Sequence, residues 1–228
     1  MEQKTENPVV LGSTGLVGRH LLDVLLSDPE VVLVKCPVRR SSGRVHPKLL
    51  EIVVDFSRPG DYPDAFAGDT VFSCFGTNIT QTRNRKQWRY TDVDLVLKTA
   101  ALCREKGARA LAVVSSIGAS PGAGSFYLRL KGEMEEGLKA AGFDKLLIIR
   151  PSFLLGRREK IRWHEEPARW VMQFFGLFMW GKAAGFKAIH ASVVARAMVR
   201  LMKEEPDGHK IITSATLRKK GKLNHSAS

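Results

Sequence analysis

The sequence predicts a doubly wound, mostly parallel α/β sheet with a small C-terminal helical substrate or lid region, and three observations carry that prediction. An apolar strand runs straight into three glycines spaced three residues apart, in Val9-Val10-Leu11-Gly12-Ser13-Thr14-Gly15-Leu16-Val17-Gly18. Short apolar runs then alternate with segments whose apolar residues recur with a period near that of a helix. The 228 residues, 44% hydrophobic, suffice for one α/β domain with a sizeable core, and no repeat or long linker divides them.

Val9–Leu11 reads as a buried strand and Gly15–Leu26 as the helix that follows. Gly12 permits the tight turn, Gly15 lets the backbone approach a pyrophosphate, and Gly18 lets helix and strand pack closely. Gly12, Ser13, Thr14, Gly15, Leu16, Val17 and Gly18 are therefore candidate cofactor-binding residues. The start of the helix offers unpaired N–H groups and a partial positive charge to a dinucleotide's phosphates. A plain structural turn is the alternative.

The second strand is predicted at Val31–Lys35, followed by Cys36-Pro37-Val38-Arg39-Arg40-Ser41 with no acidic residue. A carboxylate here would favour NAD(H) through the ribose hydroxyls, whereas guanidinium forks pair with a 2′-phosphate. Arg39 and Arg40 thus favour NADP(H) over NAD(H), against the reading of a solvated basic turn. Leu50–Val54 and Thr70–Cys74 are the third and fourth strands. Asp55 is placed to accept from the adenine amino group, and the backbone of Cys74-Phe75-Gly76-Thr77 to cover the adenosine end; ordinary strand-to-loop junctions would look the same.

A helix over Gln87–Lys106 leads to the fifth strand, Ala110–Ser115, and Ser125–Ala141 forms the next helix. Tyr127 and Lys131 stand four apart on that helix and project from one face. A neighbouring ammonium, with a cationic nicotinamide ring, is expected to lower the phenol's pKa and let it exchange a proton with a carbonyl oxygen. Ser115 and Ser116 end the preceding strand, where a hydroxyl could hydrogen-bond that same oxygen; Ser116 is slightly favoured as nearer the crevice mouth, and a turn-forming serine pair is the alternative. The sixth strand, Lys145–Arg150, ends at Pro151-Ser152-Phe153, whose exposed backbone could hold a nicotinamide carboxamide. Right-handed crossovers give the order 3-2-1-4-5-6 with the crevice at the carboxyl ends of the strands.

The early glycines, Ser115-Ser116, Tyr127-x-x-x-Lys131 and Arg150-Pro151 together resemble an extended or atypical short-chain dehydrogenase/reductase. Phe75-Gly76-Thr77, Val96-Leu97-Lys98, Tyr127-Leu128 and Lys131-Gly132-Glu133 look most similar to the Tat-interacting-protein oxidoreductase group. The resemblance spans most of residues 8–205. It implies a Rossmann-like fold, NADP(H) binding and a catalytic set of Ser116 (or Ser115), Tyr127 and Lys131. The asparagine common in the wider superfamily has no clear counterpart, the helix start reading Tyr90-Thr91-Asp92-Val93-Asp94.

Residues 163–186 carry Trp163, Trp170, Phe174, Phe175, Phe178, Trp180 and Phe186. This stripe suits a substrate lid, a groove filler for a protein partner, an interfacial anchor, or the core of a C-terminal subdomain. Ala191–Lys203 is a second C-terminal helix, with His190 read as structural. One domain is expected over residues 1–217, its variable lid over about 156–189, and a disordered basic tail from Arg218 to Ser228.

The net charge of +13 raises nucleic acid, an anionic surface or a polyanionic ligand, but the cations are dispersed and no nucleic-acid reading module accompanies them. There is no metal-type spacing among the three cysteines, no apolar signal core before Pro8, and no apolar run long enough to span a bilayer. Reduced thiols and a cytoplasmic location are the expectation. The leading function is an NADP(H)-dependent oxidoreductase acting on a small carbonyl or alcohol. The alternatives are a non-catalytic NADP(H)-binding sensor or scaffold regulating a partner, or an enzyme akin to nucleotide-sugar epimerases and dehydratases.

Overall fold

The computed structural model describes residues 7–76, 84–156 and 187–222. Thr77, most of the expected lid and the aromatic stretch 163–186 lie outside the described residues. The main sheet is built from β1 (Val9–Leu11), β2 (Val34–Val38), β3 (Leu49–Val53), β4 (Thr70–Ser73), β5 (Ala110–Val114), β6 (Lys145–Arg150) and β9 (Gly208–Thr213). A two-stranded pair, β7 (Leu154–Leu155) with β8 (Ile189–His190), stands apart. All pairings in both sheets are parallel. The order 3-2-1-4-5-6-9 contains the predicted doubly wound arrangement and adds a seventh strand on the β6 edge.

The faces of the sheet separate by residue parity, as side chains alternate along a strand. Val10, Phe72, Ala112, Leu147 and Ile149 pack with α1 (Leu16–Leu26) and α5 (Ala191–Glu204) on one face. Val9, Leu11, Val71, Leu111, Val113, Leu146 and Ile148 pack with α3 (Leu95–Glu105) and α4 (Phe126–Lys139) on the other. The two apolar layers make a continuous core through the sheet, and the strands' carboxyl ends are left to carry polar groups.

Three element boundaries differ from the sequence reading. β2 starts three residues later than expected and runs through Pro37. Lys35 N–H donates to Pro8 on the β1 side, so Pro37, two residues on, would aim its missing N–H the same way. The β1–β2 register contains only the pair Val9–Lys35, so no ladder bond is lost there. The long helix is divided into α2 (Arg85–Arg89), a π turn (Tyr90–Asp94) and α3. Finally, the segment expected to begin a tail at Arg218 starts inside α6 (Ser214–Lys220), whose Leu217 is buried in the α1/α5 layer. Residues 223–228 lie outside the described residues.

Beyond β6 the chain is tied back at several points. The Ser152 hydroxyl donates to the Lys187 carbonyl at 2.7 Å and lies 2.8 Å from the Ser214 hydroxyl. Ile189 N–H donates to the Phe153 carbonyl, extending the β7–β8 pairing, so the two ends of the interval 157–186 are clasped together.

Candidate active site

The glycine turn connects β1 to α1. Gly12 has φ +77°, a left-handed conformation that favours glycine, and a Cβ there would meet the Cys74 carbonyl at 3.0 Å and the Phe75 nitrogen at 3.1 Å. Gly15 is the N-cap of α1; no side chain caps it and the first turn holds no acidic residue. The start of an 11-residue helix therefore points bare amides at the crevice. Thr14 is exposed there, while the Ser13 side chain is buried and that of Val17 joins the core. This uncapped, side-chain-free cradle fits a dinucleotide pyrophosphate.

Beyond β2, Glu51 of β3 accepts from both Ser41 and Ser42 hydroxyls and from the Ser42 N–H, which organises the loop. Arg44 pairs with Asp23 of α1 at 2.7 Å. Arg39 and Arg40 are exposed at the very end of the strand. Asp55 is also exposed and accepts from the N–H and hydroxyl of Ser57, whose bonds hold its carboxyl below the usual range. Phe75 packs edge-on against Phe56, with ring centroids 5.5 Å apart, and Cys74 is half-buried with its thiol pushed up to about 12 by burial.

At the carboxyl ends of β4, β5 and β6 the predicted serine, tyrosine and lysine come together. Lys131 Nζ lies 5.9 Å from the centre of the Tyr127 ring, and the Ser116 hydroxyl, which donates to the Ile117 carbonyl at 3.4 Å, is near enough to the phenol to lower its pKa. Ser115 turns the other way, donating to the buried Glu135 carboxylate, which also accepts from Arg150 at the end of β6. The two serines therefore separate by direction: Ser115 braces the floor and Ser116 faces the phenol. Pro151 accepts from the Ile117 N–H at 3.1 Å, joining the loops after β5 and β6. Ser152 is spent on the Lys187–Ser214 tie described above, and Phe153 is exposed beside it.

The Tyr127 phenol, without a nicotinamide ring beside it, is raised above its ordinary value. Burial is the largest cause, Lys131 pulls the other way, Asp92 pushes it further up, and the Ser116 contact lowers it. Lys131 loses from burial too, yet Asp92, Tyr127 and Glu135 hold its ammonium above the usual lysine value. Its Nζ is 2.9 Å from Asp92 Oδ1.

Sequence reasoning did not assign Asp92 or Glu135. Asp92 is far from Lys131 along the chain, so no local spacing signals the pair. Glu135 was visible in principle: Tyr127, Lys131 and Glu135 recur every four residues on one helix face. Gly132 matters in the same place, since a Cβ on it would lie 2.2 Å from the Ser120 backbone; the bare helix surface lets the β5 loop lie flat against α4.

A family model described as NAD(P)H-binding matches residues 12–205. Among curated relatives, the protein "fmp52, mitochondrial" of Emericella nidulans is 34% identical over 74% of this chain and 74% of its own length. "Protein HTATIP2" of Rattus norvegicus is 30% identical over 87% of this chain and 81% of its own. Among solved structures, a UDP-glucose 4-epimerase of Thermotoga maritima shares 18% identity at TM-score 0.68, over 93% of this chain and 80% of that one. The UDP-N-acetylglucosamine 4-epimerase of Methanobrevibacter ruminantium gives 19% and 0.67, over 92% and 77%. These bear out the extended Rossmann-like fold and the resemblance to the Tat-interacting-protein group. The expectation of a cytoplasmic protein is overturned, because the fungal relatives carry "mitochondrial" in their names.

Proposed function

The chain belongs to the NAD(P)H-binding family, and from that premise we propose that it is an NADP(H)-dependent oxidoreductase reducing a small carbonyl compound, or oxidising the corresponding alcohol, in the mitochondrion. The observation that supports this most is the convergence of Ser116, Tyr127 and Lys131 at the sheet's carboxyl end, on the same side as the uncapped glycine turn.

The bound nicotinamide supplies the hydride. Gly12, Ser13, Thr14, Gly15, Leu16, Val17 and Gly18 would receive the pyrophosphate on backbone amides. Cys74, Phe75 and Gly76 would line the adenosine side, with Asp55 at its rim, and Pro151, Ser152 and Phe153 would offer backbone to the carboxamide. Tyr127 donates its hydroxyl proton to the substrate oxygen, Ser116 holds that oxygen in place, and Lys131 binds the nicotinamide ribose and orients the phenol.

Arg39 and Arg40 would grip the 2′-phosphate. Arg44 is already engaged with Asp23, which leaves these two guanidiniums at the strand end. Replacing both with alanine is expected to weaken NADPH about 10- to 100-fold, the value of one or two charge-assisted contacts, and to leave NADH unchanged. Isothermal titration with each nucleotide reads this directly; equal losses for both would refute the phosphate preference. Steady-state NADPH oxidation over a panel of carbonyl compounds tests the activity itself. Tight cofactor binding without turnover on any of them would favour a sensor or scaffold instead.

A further inference from the structure

We propose that Glu51 is a positioning residue for cofactor specificity: by pinning Ser41 and Ser42 it sets the direction of Arg39 and Arg40, and so decides how strongly a 2′-phosphate is preferred. The inference rests on the reading of those two arginines as the 2′-phosphate grip. It adds an acidic residue of a different strand, which acts through the arginines and not on the nucleotide.

The sheet explains how Glu51 reaches the loop. It pairs in register with Cys36 of β2, and residues paired across neighbouring strands point to the same side. Cys36 faces the α1/α5 layer, so Glu51 stands on that face, on the outermost strand of the sheet. The chain leaving β2 at Val38 folds back over it. The Ser41 hydroxyl donates to one carboxylate oxygen at 2.8 Å, the Ser42 N–H to the same oxygen at 2.9 Å, and the Ser42 hydroxyl to the other at 2.5 Å. Both hydroxyls accept in turn, from the Gly43 and Arg44 N–H groups, each at 3.2 Å. Gly43 takes a left-handed φ of +75°, and Arg44 reaches Asp23 of α1. The loop is thus held to two neighbouring elements, β3 and α1.

Arg39 and Arg40 are the only residues between the end of β2 and the first residue that Glu51 holds. A two-residue bridge between two fixed points has few backbone conformations open to it. Both side chains are exposed, so what directs them is the backbone beneath. Order set before binding lowers the entropy lost when two long side chains close on a phosphate. Glu51 carries the wrong sign of charge for that ligand. Burial raises its carboxyl, but the serine bonds and Arg44 outweigh it and hold it below the ordinary range. The same three donors and guanidinium cover the charge, so the carboxylate orders the loop while repelling an arriving phosphate little. A nucleotide with free ribose hydroxyls makes no such demand on the arginines, and its affinity is indifferent to Glu51.

Isothermal titration with NADPH and with NADH is run on the wild-type protein, Glu51→Ala, Glu51→Gln, the double variant Arg39→Ala/Arg40→Ala, and that double variant combined with Glu51→Ala. Glu51→Ala is expected to weaken NADPH about 10-fold, the cost of ordering two long side chains at binding, and to leave NADH within about twofold. Glu51→Gln keeps an acceptor for a serine hydroxyl and is expected to lose less. With both arginines absent, Glu51→Ala is expected to cost nothing further. Equal losses for the two nucleotides would mean that Glu51 only supports the fold, and tighter NADPH binding in either variant that its charge merely repels phosphate. Each of these overturns the proposal, as does a further loss without the arginines. Should circular dichroism show Glu51→Ala unfolded, Ser41→Ala/Ser42→Ala removes both hydroxyl bonds from the loop side, with the same expected selectivity. An unchanged NADPH affinity in the arginine variant refutes the 2′-phosphate grip itself, and this inference with it. An unchanged affinity in Glu51→Ala beside a weakened arginine variant refutes this inference alone.

Discussion

Tyr127→Phe is expected to slow NADPH-dependent carbonyl reduction by about 10²- to 10⁴-fold, the usual worth of a positioned general acid. The substitution removes one oxygen. Phenylalanine keeps the ring beside which Lys131 sits, and the Lys131–Asp92 ion pair does not involve the lost hydroxyl. NADPH affinity and melting temperature should therefore stay close to wild type while kcat falls. Steady-state kinetics beside a thermal melt separates the two effects. Activity unchanged in the variant would refute the mechanism, and an equal fall in affinity would mean that the phenol serves binding more than chemistry.

Gly18→Ala is expected to damage both the fold and cofactor binding. A Cβ at position 18 would lie 2.1 Å from the Gly12 carbonyl oxygen and 2.9 Å from the Ser13 Cα. Both obstacles are backbone, so neither can rotate away as a flexible side chain would. Either α1 lifts from β1, disturbing Leu21, Leu22 and Leu25 in the core, or the turn between Gly12 and Gly15 opens. Overpacking of this kind costs about 3 kcal/mol. For a chain of this size that is roughly a 6–12 °C fall in melting temperature. Differential scanning calorimetry with and without NADPH is the measurement. A variant that melts within a degree or two of wild type and still gains stability from NADPH would show that the turn tolerates the methyl.

The same geometry shows what could be read from the residues alone. The strand–glycine–helix start was legible because each glycine has a local reason to be there, and β1 and β6 fall where apolar runs placed them. β9 was not legible: His209 and Lys210 interrupt its pattern, and only Ile211 and Ile212 are strongly apolar. It holds its place through full pairing with β6, a tertiary cause that no window of sequence contains. β2 was set too early because its apolar run begins at Val31, and only the neighbouring register shows that the strand can pass through Pro37 without missing a donor.

At the site, Tyr127 and Lys131 could be paired by helical spacing, but the sign of the phenol's shift could not. That sign depends on burial and on a carboxylate carried by another helix. Likewise chain position favours Ser116 over Ser115 only slightly. They are separated clearly by Glu135, which is brought to Ser115 by the packing of α4 on the sheet.

The clasp of β7 on β8 has an evolutionary corollary. Because the excursion between them leaves and re-enters at adjoining points, it can be lengthened, shortened or replaced like a cassette without altering the strand order behind it. Doubling such an insert adds only about 0.6 kcal/mol of closure entropy. The sheet and the groups at its carboxyl edge are therefore insulated from changes in the length of that interval.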